Sequence, residues 1–391
     1  MKGKRFTMRY LYILVASIVF ISCGKNAEKG ASEEGIPQSE PIELVEEAEG
    51  FSIEKGDDFT IIEVFSPWPN AEKSYRYALI PKEKAAAITL SMDAYDAIVL
   101  TPIESIVVTS TTHIPSLEAL QVEHTLKGFP NTRYISSETT RANIDAGKIK
   151  EVGNNESVNT EVLIDIHPDA VVGFAIDGNN KAYNNLTKAN IPVLYNGDWT
   201  EKTPLGKAEW IKFFGALYGK ESAADSIFNG IRDEYLKVKA LAQTAKSRPT
   251  VLSGALYRDI WYLPAGESYQ TQFMKDAHAN YLWATSKGTG SLSLNVESVL
   301  EKGRAADFWI APGQFTSYST MIDSNPHYAQ FEALQQKKIF TFNATTGSTG
   351  GTLYYELGPN RPDIVLKDLI KIMHPELLPD YKPFFFKPLV D

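Results

Sequence analysis

The sequence predicts an α/β protein of two lobes, each built on a mostly parallel sheet and joined by a long helical segment. Three observations carry this. Compact apolar runs such as Ala170–Phe174 and Ala306–Ile310 alternate with helix-length stretches, the rhythm of βα units. Those runs lack the polar/apolar alternation of a half-exposed strand, as expected when helices cover both faces of a sheet. Midway, more than about forty residues from Pro204 onward carry an apolar stripe at helical spacing, beyond the usual length of a crossover helix. With 391 residues, 43% of them apolar, the chain can bury such a core.

Taken in order, the chain opens with Lys2, Lys4, Arg5 and Arg9, then the apolar run Tyr10–Ser22, which is too short to span a bilayer but suits a signal-peptide core. The run ends at Cys23, the only cysteine, so no internal disulfide is possible. Phe20-Ile21-Ser22-Cys23 resembles a bacterial lipoprotein signal, which implies cleavage and lipidation at Cys23; an ordinary signal peptide or a buried cysteine is the alternative. Residues 24–50 hold eight acidic groups, two lysines and no aromatic residue. They are expected to form a flexible acidic tether, making 1–22 the signal and 23–50 the leash.

Residues 51–203 read as the first lobe. Phe59–Phe65 and Tyr75–Ile80 form strands around the Pro67-Trp68-Pro69-Asn70 turn, and Ala97–Leu100 and Ser105–Val108 are further strands. Ser116 is placed to cap a helix over Leu117–Leu126 that Gly128-Phe129-Pro130 would stop. Thr160–Ile166 and Asn179–Ala189 read as helices, Ala170–Phe174 and Ile191–Leu194 as strands. Residues 204–247 form the connecting segment, broken once at Gly219: either two helices packed in one domain or a rod between lobes. Residues 248–391 read as the second lobe. Its strands are Pro249–Ser253, Ala306–Ile310 and Ile339–Phe342. Its helices are Ser268–His278, Val296–Lys302, His327–Gln336 and Arg361–Met373. The phrase running from Glu161 to Asp169 has a counterpart from Glu297 to Asp307: an acidic residue, a short helix, an aspartate, an apolar strand.

The residues supply no catalytic signature. The six histidines form no His-Glu-x-x-His pattern, and there is no Gly-x-Ser-x-Gly elbow. Gly347–Thr352 lacks the lysine of a phosphate loop and is read as a tight turn near a cleft. Net charge is -9, which disfavours nucleic acid as a partner. Aromatic residues in expected loops are the better signal. Trp68, Trp199, Tyr257, Trp261, Tyr262, Phe315, Tyr318 and Tyr354 are candidates to stack on a large, flat ligand, with packing between lobes as the alternative. His113, after an apolar strand, is a candidate ligand contact or a loop-structuring group.

Over roughly residues 97–372, in the stretches Ser105–Leu120, Val158–Gly173, Ile191–Val193 and Pro204–Gly215, the sequence resembles the substrate-binding lipoproteins of ABC importers for iron complexes and cobalamin. That resemblance implies two Rossmann-like lobes, a stiff backbone helix joining them and a ligand cleft in between. It implies a monomer anchored to the envelope through Cys23, and partners comprising a permease and a cytoplasmic ATPase. It further implies one exposed glutamate per lobe, Glu161 and Glu297, that docks on permease arginines, with Glu118 as a weaker candidate. A recognisable set of metal-ligating side chains is missing, so the ligand is expected to be a preassembled metal-containing organic complex: a siderophore, haem or cobalamin. Two rivals stay open: a lipid-anchored α/β hydrolase or carbohydrate-active enzyme using cleft carboxylates, and a surface interaction or accessory lipoprotein.

Overall fold

Residues 42–155 and 157–391 are described by a computed structural model; the expected signal peptide, Cys23 and tether residues 23–41 lie outside the described residues. The first element is a five-stranded sheet of β1 (Ile42–Glu43), β2 (Phe51–Lys55), β3 (Thr60–Val64), β4 (Tyr75–Pro81) and β5 (Ala97–Thr101), paired in that order. The expected hairpin is β3–β4, antiparallel in the register Val64↔Tyr75. β5 pairs parallel with β4 and so belongs to this sheet, not to the sheet that follows.

The first lobe runs through β6 (Ile106–Val108), α1 (His113–Ala119), β7 (Leu126–Phe129), α2 (Glu138–Asp145), β8 (Lys150–Glu151), the small pair β9 (Gly153–Asn154) and β10 (Ser157–Val158), α3 (Thr160–Ile166), β11 (Ala170–Gly173), α4 (Lys181–Lys188) and β12 (Val193–Tyr195). Its parallel sheet has the order β12-β11-β6-β7-β8. Here the expected helix over Leu117–Leu126 is corrected. Helix α1 begins four residues earlier and Leu126–Phe129 is a strand, because Leu126, Gly128 and Phe129 are all buried inside the sheet. A short apolar run carries no period long enough to separate helix from strand.

The connection comprises α5 (Pro204–Glu209), α6 (Ile211–Leu217) and α7 (Glu221–Ala242). Thr203 Oγ1 caps α5 by accepting from Gly206 N at 2.9 Å, and Pro204 sits in the first turn. Gly219, at φ +62, makes the reversal into α7 that a side chain would strain. α5 and α6 are buried almost throughout, with Phe213 and Phe214 in the first lobe's core. Only α7, 22 residues and about 33 Å long, acts as the strut. Phe228 belongs to the first lobe's core and Tyr235, Val238 and Ala242 to the second's.

The second lobe runs through β13 (Thr250–Ser253), β14 (Ala255–Tyr257), β15 (Ile260–Pro264), α8 (Tyr269–Asp276), β16 (Asn280–Tyr281), β17 (Ser291–Leu294), α9 (Val296–Gly303), β18 (Phe308–Ile310), α10 (Tyr318–Ser324), α11 (Glu332–Gln335), β19 (Ile339–Thr341), α12 (Leu353–Leu357), α13 (Pro362–Met373) and β20 (Lys387–Pro388). Its sheet, β16-β13-β18-β19-β20, is parallel except for the edge strand β20, and β14-β15-β17 form a separate antiparallel sheet.

Without their edge strands β8 and β20, the two parallel sheets share one topology: the first strand lies between the second and the third, and the fourth flanks the third. The echo in the sequence marks this. Asn159 and Asn295 cap α3 and α9. Asp169 Oδ2 accepts from Ser105 N at 2.9 Å just before β6, and Asp307 Oδ2 accepts from Thr250 N at 2.7 Å at the start of β13. Each aspartate ties the start of the third strand to the start of the first.

Residues 44–50 correct the expected tether. Glu209 accepts from the backbone N–H of Glu46, Glu47 and Ala48 at 2.6–2.9 Å, and Glu201 accepts from Glu49 and Gly50 at 3.1 and 2.9 Å. Lys212 pairs with Glu209 at 2.9 Å and donates to Leu44 O at 2.8 Å. Leu44, Val45 and Ala48 of this strap pack against the first lobe's core, and two carboxylates some 150 to 160 residues away accept from its backbone.

Candidate functional site

In open parallel sheets ligands bind beyond the carboxyl ends of the strands, where the strand order reverses. In this chain those points follow β6 and β11 in the first lobe, and β13 and β18 in the second. Between the lobes lies a cavity of about 280 Å³. One wall is Thr109, Ser110 and Thr111 after β6 with Phe174 after β11; the facing wall is Gly351, Thr352 and Tyr355 of the second lobe. Tyr355 also lines a recess of about 180 Å³ at the ends of β13 and β18, with Tyr262, Gln270, Gln314 and Tyr354. On the other side, Phe174 lies 5.5 Å from Trp199. Trp199 and Trp68 line a third cavity, about 470 Å³, which Tyr269, Thr289 and Gly290 of the second lobe complete. Ser66–Asn70, from the β3–β4 turn, thus form part of the seam.

The lobes are pinned beside this cleft. Glu356 on α12 accepts from Ser136 N at 2.6 Å and Ser137 N at 2.8 Å. Asn360 accepts from Ser116 Oγ at 2.9 Å and donates to Thr112 O at 2.8 Å. The expected tight turn over Gly347–Thr352 is pressed onto the first lobe: Thr349 Oγ1 donates to Arg133 O at 2.7 Å, and a Cβ at Gly347 would lie 2.7 Å from Ser136 Cα. Burial lifts the Glu356 carboxyl to about 7; the two N–H donors oppose the rise and nearby Glu118 adds to it.

Trp68, Trp199, Tyr262 and Tyr354, proposed from the sequence, line these cavities. Trp261 does not: it is wholly buried, stacked on Trp309 at 5.3 Å with its Nε1 donating to Ser253 O. His113 is likewise withdrawn from the cleft, 1% exposed at the start of α1 with its ring 5.5 Å from that of Phe214; burial lowers its pKa to about 4, leaving it neutral. Tyr257 stands 65% exposed at the β14–β15 hairpin tip, Phe315 packs on Tyr328, and Tyr318 is buried at the start of α10; none lines the cavities described. The indole between apolar neighbours went to the core because β15 points it inward while Tyr262, one residue on, faces out.

The sequence reading missed Thr109–Thr111 as wall residues, as well as Asn131, Tyr134, Asn155, Phe174 and Tyr355. A hydroxyl run immediately after a buried strand was the available signal for the first three. Glu161 and Glu297 are exposed in the first turns of α3 and α9. These helices return antiparallel to the strands, so both glutamates start on the cleft side of their sheets. Among the described residues, the charged ones lining the three cavities are Glu49, Glu201 and Lys202, and Lys202 Nζ is paired with Glu49 at 2.7 Å. Among the described residues no cluster of three His, Cys, Asp or Glu could hold a metal ion.

A family model described as periplasmic binding protein matches residues 106–346. An uncharacterized lipoprotein from Methanocaldococcus jannaschii is 28% identical over 73% of this chain and 68% of its own length, and an uncharacterized protein of the same organism is 28% identical over 59% and 68%. Among solved structures, a possible iron-binding periplasmic solute-binding protein from Staphylococcus epidermidis shares the fold with a TM-score of 0.55 at 16% identity, covering 70% of this chain and 100% of its own. A periplasmic heme-binding protein from Pseudomonas aeruginosa gives 0.54 at 16% identity, over 74% and 99%.

Proposed function

The chain belongs to the periplasmic binding protein family, and from that premise we propose that it is the substrate-binding component of an ABC importer, carrying a metal-containing organic complex to an inner-membrane permease. Members of the family bind solutes and are not enzymes, and the cleft is lined by hydroxyl, amide and aromatic groups. The observation that carries the reading is the cavity whose walls come from both lobes at strand ends, Thr109–Thr111 and Phe174 facing Gly351–Tyr355. A seam of that kind encloses a guest without reacting with it.

The cargo is an iron complex, siderophore or haem, or cobalamin. Names of relatives support this class: one solved neighbour is described as iron-binding and another as heme-binding. Lipidation of Cys23 would hold the body at the envelope, and the lipoprotein name of one relative supports such an anchor. Glu161 and Glu297 would meet the permease, each at the head of an equivalent helix. The test is a titration of the purified chain with cobalamin, haem and ferric siderophores, followed by tryptophan fluorescence and calorimetry. Replacing Phe174 and Tyr355 together by alanine should weaken the best-binding complex by about a hundredfold, the scale of two central aromatic contacts. Unchanged affinity would remove the seam as the site.

A further inference from the structure

The recess of about 180 Å³ at the ends of β13 and β18 is built differently from the central cavity. Its lining residues run from Ser253 to Phe386 and all belong to the second lobe. Its floor is made by Leu263 of β15, Met274 of α8, Ile310 of β18, Val365 and Leu369 of α13, and Phe386. All six are buried. Val365 and Leu369 share one face of α13 because they stand four positions apart. Phe386 is held in place by Asp368, wholly buried, which accepts from the backbone N–H of Phe384, Phe385 and Phe386 at 2.6–3.0 Å. Tyr354, Tyr355, Val365, Leu369 and Phe386 lie beyond residue 346, outside the stretch that the family model matches.

The more exposed lining residues mark the mouth. Tyr262 and Tyr355 are 40% and 49% exposed, and Gln270, Ser291 and Gln314 add amide and hydroxyl groups beside them. An apolar floor reached through a mouth with a few polar groups is the make-up of a small-molecule pocket. Water resting on that floor finds no partner for its hydrogen bonds, whereas a hydrocarbon ring loses none. An apolar cavity of about 150 Å³ is large enough to take up benzene, so this recess has room for one ring.

We infer that the second lobe carries a separate binding site for a free one-ring aromatic compound with a single hydrogen-bonding substituent, the ring on the floor and the substituent among Gln270, Ser291 and Gln314. Nothing in this site depends on the importer reading. Tyr355 lines both spaces, so a guest in the recess stands behind one wall of the central cavity. The probe is 4-fluorophenol, titrated into the purified full chain and followed by fluorine NMR and calorimetry. It should bind with a Kd of about 1 mM or tighter. Inositol, a ring of similar size with a hydroxyl on every carbon, should bind at least about tenfold more weakly, because it has no apolar face to lay on the floor. Ser291→Trp, at an exposed position of the mouth, should block entry and weaken 4-fluorophenol by about tenfold or more, with the urea midpoint unchanged. Val365→Phe, which fills the floor, should weaken it as much; if overpacking keeps that variant from folding, Ser291→Trp decides alone. Binding of 4-fluorophenol weaker than about 1 mM, inositol binding as tightly, or affinity that survives Ser291→Trp overturns the inference and leaves the importer reading intact.

Discussion

Glu356 is 2% exposed, and its carboxylate holds the backbone of Ser136 and Ser137 across the seam. Its carboxyl pKa is raised by burial from 4.5 to about 7, so the folded state favours the protonated form more than the unfolded chain does. The stability this group contributes is therefore fully present below about pH 4.5 and is lost as pH rises through 7, by up to about 3 kcal/mol. Glu356→Gln should flatten that part of the pH dependence: urea unfolding at pH 5 and pH 8 should show the wild type losing more stability than the variant between the two. Equal losses would mean that the charge on this residue does not matter to the clamp. Nothing in the sequence singles out Glu356 among 48 acidic residues, because its partners lie some 220 positions away. His113 and Trp261 illustrate the opposite error. Their residue types and loop-like surroundings are visible in the chain, but which way each side chain turns is decided by packing on Phe214 and Trp309.

At the level of elements, the strap Leu44–Gly50 and the helix α5 form one unit. Glu209 and Lys212 are both buried and Glu209 accepts from three backbone N–H groups, so Glu209→Ala leaves those donors without their acceptor and the Lys212 ammonium with only Asp225, at 3.4 Å, as its counter-ion. The expected cost is about 3–5 kcal/mol, read as a lower urea midpoint, with new proteolytic cleavage in residues 44–50. A chain started at residue 51 should lose stability in the same way; if it melts with the wild type, the strap is decoration. The alternation of short strands and helices was legible because each unit repeats its own punctuation, as at Asp169 and Asp307. The helix α1 was misplaced because Leu126–Phe129 is too short to show a period. The strap was hidden because low hydrophobicity signals disorder only when no distant acceptor waits for the backbone.

For the whole molecule, α7 contributes side chains to both cores, and Glu356 and Asn360 tie the lobes beside the cleft. On the proposed importer reading, docking on a permease would use two separate surfaces, one per lobe, held at a constant spacing. Reversing charge at Glu161 and Glu297 together should cut uptake by about tenfold or more, the scale on which facing charges set association, while leaving ligand affinity unaltered in calorimetry. Undiminished uptake would free both glutamates from that role. A body strutted along its back and buttoned at its front is a clip, not a jaw. Cargo would enter by a brief lifting of the Gly347–Gly351 flap, so the rate of loading should follow the local breathing of that one loop rather than the swing of a hinge.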